Sequence, residues 1–352
     1  MGNACRRSMS SVPSRMILSA RPLGSGPFAT QSPFLFGVYH RDRYPEGRED
    51  QSPNAPLHNR RLGMDFSGSD GWSMYHGRTV PGFPEHPHRG FETVTVVREG
   101  LVDHHDSLGC QGRFGEGDAQ WMTAGRGVSH SEMFPCVHTD RPNPLDLYQI
   151  WINLPRRSKM AAPHFTMLWG PDIPRGSYDG GRVEVRGVAG RLPGMGAPPA
   201  PPPESWASDE GNEVAIWTIT VRPGGSWALP PASALANRSL YFVDGGEIEV
   251  AGTRLRGPAN LTLRPDAEVP LRNTGGGPAE LLLLQGRPID EPVAQQGPFV
   301  MNTPAELMQA FQDYRGGKFG AWPWGSEDPV LPRGEGRFAK YADGRVERPA
   351  DA

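Results

Sequence analysis

At 352 residues the chain is long enough for two domains of ordinary size, each with its own apolar core. A formal net charge of −3 excludes the basic footprint that direct binding to nucleic acid or to an anionic membrane surface needs. Three cysteines without a Cys-x-x-Cys pair, and no apolar run near the roughly 20 residues of a membrane span, exclude a disulfide framework, a zinc knuckle and a transmembrane helix, and fit a reducing compartment.

Residues 1–33 carry Arg6, Arg7, Arg15 and Arg21, several serines and no acidic residue, which predicts a basic, disordered N-terminal extension. The same composition suits a transit peptide, which would make the protein organellar; otherwise a cytoplasmic and nuclear location is expected. Gly2 does not complete a myristoylation pattern, because Arg6 stands where Ser or Thr is required.

The chain holds 45 glycines and 38 prolines, and from Phe34 onward such residues punctuate a series of short strands. Thr93-Val-Thr-Val-Val97 is β-branched and ends at Glu99-Gly100, with Leu101 to Asp106 as its expected hairpin partner. Glu116-Gly-Asp118 turns into Ala119-Gln-Trp-Met122. Between Leu147 and Leu154, Tyr148, Ile150, Ile152 and Leu154 alternate with Gln149, Trp151 and Asn153, giving a strand with two distinct faces. A first domain over 34–165 is followed by a second over 166–330, which begins with a proline-rich loop at 192–203. The second domain has strand patterns at 213–221, 239–243, 246–250 and 281–285, where Leu281-Leu-Leu-Leu284 reads as a buried strand. Thr303, Pro304 and Glu306 spell a capped helix start, with Leu307, Phe311 and Tyr314 on one apolar face and Gly316-Gly317 as a stop. Residues 331–352 are left as a tail. The architecture expected is all-β, two domains of sandwich or barrel type with one short C-terminal helix.

All ten histidines lie between His40 and His164, so any histidine chemistry belongs to the first domain. Two pairs stand out, His86-Pro-His88 and His130-Ser-Glu132. Residues i and i+2 of a strand share a face, so each pair presents two donors to one side. If the two strands face each other across a small barrel, four donors converge. Three imidazoles and one carboxylate suit a transition metal such as Fe(II), Mn, Ni or Cu and leave positions open for substrate and O₂ or water. Pro87 lacks an N–H, which places this segment at a strand start or sheet edge. His104, His105 and His138 read as surface residues. Glu92 shares strand parity with His88 and stands where the common cupin pattern puts its carboxylate ligand, so the residues leave Glu92 and Glu132 as alternatives, both candidates for catalysis. Geometry favours Glu132: it is about 7 Å along its strand from His130, whereas Glu92 is about 13 Å from His88 unless Gly90 bends the chain. Phe91, Trp121 and Met122 are candidates for an aromatic pocket wall, although core packing is the commoner role for such residues.

The segments His86-Pro-His-Arg-Gly-Phe-Glu-Thr93 and Gly117-Asp-Ala-Gln-Trp-Met-Thr-Ala-Gly-Arg-Gly-Val-Ser-His-Ser-Glu-Met133 resemble the two signature segments of the pirin family. Gln149-Ile-Trp-Ile-Asn-Leu-Pro155, Gly297-Pro-Phe-Val-Met-Asn-Thr303 and Gly316-Gly-Lys-Phe-Gly320 are similar to further family segments, so the likeness spans about residues 34 to 325. The resemblance implies a bicupin of two tandem β-barrels, with one Fe(II) per chain, or another divalent transition metal, held by His86, His88, His130 and Glu132 in the N-terminal cupin and none in the C-terminal one. It places Glu92 behind the ligands. It implies an O₂-dependent dioxygenase of the quercetin 2,3-dioxygenase type acting on a flat flavonol, with Glu132 or Glu92 as base; the alternative is a redox-sensing transcription co-regulator that works through a protein partner. A monomer is expected. One departure is Ser32-Pro-Phe-Leu-Phe-Gly-Val-Tyr-His40, where many members read Asp-Pro-Phe-Leu-Leu-Leu-Asp; the surface that animal members use on nuclear partners is thus not carried over.

Overall fold

The computed structural model describes residues 16–24 and 26–351. Two β-barrels follow one another in the chain, in agreement with the cupin-type two-domain expectation. The first closes a five-stranded antiparallel sheet, in the order His164–Leu168, Ala119–Thr123, Phe91–Glu99, Asn143–Asn153, Phe34–Tyr44, against a six-stranded one. The six-stranded sheet runs Val346–Glu347, Phe338–Lys340, Gln111–Gly115, Leu101–Asp106, Val128–Met133, Gly82–His88. The second barrel pairs a seven-stranded with a four-stranded sheet.

The five-stranded and seven-stranded sheets pack face to face, and strand alternation makes that possible. Val94 and Val96 point into the seam with Tyr148, Ile150 and Ile152, while Val97 and Leu147 point into the first barrel. From the other side Leu282 and Leu284 enter the seam, and Leu281 and Leu283 enter the second barrel. This explains the unbroken Leu281–Leu284 run: both faces of the strand are covered, so neither needs polar residues. Each aliphatic side chain buried there contributes about 1.5–3 kcal/mol. The second barrel is filled by apolar side chains such as Val185, Ile219, Leu240 and Phe242.

Two sequence expectations fail at the chain's ends. Ile17–Pro22 is not disordered; it is the edge strand of the seven-stranded sheet, paired antiparallel with Ala259–Leu263. Residues 1–15, including the arginines at 6, 7 and 15, lie outside the described residues. Residues 331–352 are not a loose tail, since Phe338–Lys340 pairs with Gln111–Arg113 and extends the first barrel's sheet. Arg113, 1% exposed, explains the attachment: its guanidinium binds Asp103 through Nε (2.6 Å) and Nη2 (2.8 Å) and donates to the carbonyls of Leu331 (3.2 Å), Pro332 (3.1 Å) and Glu335 (2.9 Å). Each barrel is thus completed by the far end of the chain. Strand His164–Leu168 also carries the first barrel slightly beyond the expected boundary at 165.

The helix Pro304–Arg315 has the capping box read from sequence: Thr303 Oγ1 accepts from the Glu306 amide (3.3 Å), and Glu306 Oε2 accepts from the Thr303 amide (2.8 Å). It packs on Phe299, Met301 and Phe319. Among the described residues no helix is long and apolar enough to cross a membrane.

Deleting residues 1–22 should lower the midpoint of thermal unfolding by on the order of 5 °C, because an edge strand and its apolar contacts are lost. Deleting residues 331–352 should do more, costing on the order of 3–5 kcal/mol, because the buried Arg113–Asp103 pair loses part of its hydrogen bonding. Calorimetry of both truncations checks the two expectations, and an unchanged midpoint in either contradicts it.

Candidate metal centre

The strand Gly82–His88 is an edge strand of the six-stranded sheet and pairs with Val128–Met133. His86 sits directly opposite His130 in that register. The two histidine-bearing strands are therefore neighbours in one sheet, not facing strands as the sequence reading supposed, and the ligands meet as a cross-strand pair. Pro87 occupies an edge strand, as its missing N–H requires. His88, two positions on from His86, completes the group, and ring centroids lie 4.5 Å (His86–His130), 4.8 Å (His86–His88) and 4.9 Å (His88–His130) apart. One ring nitrogen of each can be chosen so that all three lie within 4.8 Å of one another, close enough for one ion.

Burial is the main reason that all three imidazoles are hard to protonate. His86 is pushed down to about 4, and His88 and His130 well below their ordinary value, with mutual repulsion adding to the effect. Near neutral pH the cluster therefore offers lone pairs rather than positive charge. His86 Nδ1 lies 2.8 Å from the Pro84 carbonyl, so it carries the proton and leaves Nε2 as the free donor atom. Neither ring nitrogen of His130, nor Nδ1 of His88, has a hydrogen-bond partner. Unpaired buried nitrogens cost about 1–3 kcal/mol each, and a bound transition metal removes part of that cost. The donor set fits such an ion.

Glu132 stands beside the three histidines. Its Oε2 is 3.8 Å from His130 Nε2; Oε1 accepts from Thr95 Oγ1 (2.8 Å), and Oε2 from Gln149 Nε2 (2.8 Å). Burial raises its pKa, against the pull of Thr95, the nearby His104 and Gln149. Lone pairs remain on both oxygens, so ligation by Glu132 is compatible with these bonds.

Glu92 is elsewhere. Gly90 takes φ +84°, and a Cβ there would come 1.9 Å from the Val300 carbonyl oxygen, so only glycine makes this bend. The bend breaks the parity assumed from sequence: Phe91 packs on His88 (5.0 Å), and Glu92 turns to the opposite face. There it accepts from Thr123 Oγ1 (2.6 Å) and Ser205 Oγ (2.5 Å), fully buried. Its carboxyl is pushed up to about 7 by burial, partly offset by those hydroxyls. Glu92 is thus neither a ligand nor a base at this centre.

His104 and His105 are not surface residues; they are 0% and 3% exposed. Their strand lies inside the six-stranded sheet, and the C-terminal segment covers its outer side, with Trp324 against His105 (4.7 Å). His104 faces inward, 5.5 Å from the His130 ring, with Nε2 3.1 Å from Asp106 Oδ2. His138 lies in a half-buried loop, near the expectation.

A cavity of about 1080 Å³ opens onto His86, His88 and Glu132. Phe91, Trp121 and Met122 do not line it: Phe91 lies behind His88, Trp121 is in the seam and Met122 in the barrel core. The walls are Phe36, Phe66, Phe83 and Trp151, with Thr95 and Gln149 near the carboxylate. The alternation Phe36, Val38, His40 is the sequence signal for this wall, and it acquires that meaning only from the strand's pairing with Trp151, Gln149 and Leu147.

His88→Ala should remove most of the metal from purified protein, which metal analysis checks. Glu92→Gln should leave metal content unchanged but alter the pH dependence of stability. A carboxyl raised from 4.5 to about 7 on folding weakens the fold as pH rises through that window, because the folded state holds the proton longer. From pH 5 to pH 8 the variant should therefore gain on the unsubstituted protein by up to on the order of 3 kcal/mol in denaturant unfolding. A pH-independent difference contradicts the placement of Glu92.

The chain matches the family model "Pirin" over residues 31–152 and "Pirin C-terminal cupin domain" over residues 216–320. It is 39% identical over 241 residues to the pirin-like protein of Solanum lycopersicum, covering 68% of this chain and 77% of that protein. It is 35% identical over 267 residues to pirin of Mus musculus, covering 70% and 80%. Among solved structures, quercetin 2,3-dioxygenase from Acinetobacter baumannii aligns with a TM-score of 0.68 at 26% identity, over 87% of this chain and 98% of that one. With two family domains, a two-barrel fold and a histidine cluster in the first barrel only among the described residues, the chain belongs to the pirin family.

Proposed function

We propose that the protein is a dioxygenase that uses one iron ion per chain, held by His86, His88, His130 and Glu132, to cleave a flavonol with O₂. The observation that carries this reading is the three-imidazole cluster, two members of which, His86 and His88, line a concave, largely aromatic cavity large enough for a fused-ring ligand. The likeness to a protein titled quercetin 2,3-dioxygenase supports the substrate class. A concave cavity of this volume, with the histidines on its wall, favours a small molecule over a protein partner.

When bound, the metal would supply Lewis acidity and a meeting point for the flavonol's oxygen edge and O₂. The protein's own part is positioning and proton transfer. Phe36, Phe83 and Trp151 give flat apolar surfaces that orient a planar ring system and exclude water. Glu132 accepts the proton of the flavonol's 3-hydroxyl; its raised pKa makes it a stronger base than an exposed carboxylate. Thr95 and Gln149 fix the carboxylate so that it does not swing with each proton taken. His104, behind His130, limits the ring's tilt.

Purified protein should hold about one metal per chain and consume O₂ when given quercetin; a value near two metals per chain, or no O₂ uptake across a flavonol series after iron loading, refutes the reading. Glu132→Gln should weaken metal binding by about tenfold or more and lower kcat by about 10²–10⁴, measured at saturating iron. Full metal affinity and turnover in that variant would remove Glu132 from both roles.

A further inference from the structure

The cavity has two chemically different ends. At one end are His86, His88 and Glu132; farther along the wall is His40, a histidine outside the cluster and with no role in the reading above. Strand register fixes their relation. On paired strands, Phe36, Val38 and His40 stand opposite Trp151, Gln149 and Leu147. Trp151 packs on His88 (5.4 Å) and Gln149 holds Glu132, so Val38 marks the level of the carboxylate. His40 lies two residues farther, about 7 Å along the strand and away from His88.

His40 is 8% exposed. Its ring meets the edge of Tyr75 (4.6 Å, 76° between planes) and tilts against Phe83 (6.0 Å). The Tyr75 hydroxyl is turned to Asp42, donating to its Oδ2 (2.7 Å), and makes no hydrogen bond with His40. Tyr75 is itself held at φ +55°, its backbone paired both ways with Asp65 at 2.8 Å, so the aromatic mount is fixed. Among the described residues no hydrogen bond involves either ring nitrogen of His40. Burial pushes its pKa down to about 4, so near neutral pH it carries one N–H and one lone pair. A rigidly mounted, neutral imidazole, with its polar atoms unused inside the protein and its ring on the cavity wall, is suited to a ligand's hydroxyl group.

We infer that His40 is a specificity-determining residue that hydrogen-bonds a hydroxyl on the part of a planar aromatic ligand farthest from the metal end. The inference rests on the flavonol reading and adds to it: the favoured substrates carry a hydroxyl remote from the 3-hydroxyl/4-carbonyl edge. His40 touches no reacting atom in this scheme, so it should govern affinity and KM rather than kcat.

The test compares quercetin, which has hydroxyls remote from that edge, with 3-hydroxyflavone, which has none, on iron-loaded full-length protein, by quenching of tryptophan fluorescence. The unsubstituted protein should bind quercetin on the order of tenfold more tightly. His40→Phe should abolish that preference with its affinity for 3-hydroxyflavone and its metal content unchanged, and His40→Gln, which retains hydrogen-bonding groups, should restore much of it. Equal affinities in the unsubstituted protein, or an unaltered preference in His40→Phe, overturn the inference while leaving the flavonol reading intact. Loss of both compounds in both variants shows a structural role and also overturns it. If the unsubstituted protein binds neither compound, the flavonol reading falls and the inference falls with it.

Discussion

The bend at Arg89-Gly90 is the constraint on which the site depends. It turns the edge strand carrying His86 and His88 into the central strand carrying Phe91 and Thr95, and it is held by two buried cationic side chains, Lys159 and Arg89. Lys159, 2% exposed, donates to the carbonyls of Gly90 (2.9 Å) and Val300 (3.1 Å) and to Asn153 Oδ1 (2.7 Å). Those three acceptors are neutral, and burial lowers the Lys159 pKa to about 8. Arg89 reaches Asp313 of the C-terminal helix (2.8 Å) and the Arg126 carbonyl (2.7 Å), with its guanidinium over Phe319. A ligand segment thus braced from three directions can keep unpaired imidazoles buried and in register, which a free hairpin could not.

That bracing comes from the second half of the chain, and it changes the meaning of the two domains. The C-terminal helix and its preceding hairpin lie after the second barrel in sequence yet pack on the first barrel's metal-bearing bend. The N-terminal strand completes the second barrel, and the last strands extend the first. Together with the apolar seam around Ile150 and Leu282, this ties the two barrels to each other. The second barrel's interior is filled by apolar side chains, and all ten histidines lie outside it.

Burial then sets the chemistry. Low exposure keeps the imidazoles neutral and able to offer lone pairs, raises the Glu132 pKa, and keeps His40 neutral on the cavity wall. The same desolvation acts on Glu92, but on the other face of its strand, where the result is a hydroxyl-bound carboxyl in the seam that touches no ligand.

How much of this the amino-acid sequence determined divides along local and non-local lines. Alternation within a strand is local, so the two faces of 147–154, the same-face pairs His86/His88 and His130/Glu132 and the helix cap at Thr303 were all legible. Strand partnership and the direction taken after a bend are not local. Glu92 was misplaced because one glycine at positive φ resets parity, and only the packing of Val300 against Gly90 requires that conformation. His104 and His105 were misread because their burial comes from a sheet neighbour and from Trp324, more than 200 residues away. The cavity wall was missed for a similar reason, since Phe36 and His40 acquire their role only from pairing with Trp151 and Leu147. Both chain ends were taken as loose because their strands find partners in the distant barrel, Ile17–Pro22 on Ala259–Leu263 and Phe338–Lys340 on Gln111–Arg113. Side-chain chemistry and short-range periodicity are written residue by residue, whereas the surface that covers a residue is decided only when remote segments meet.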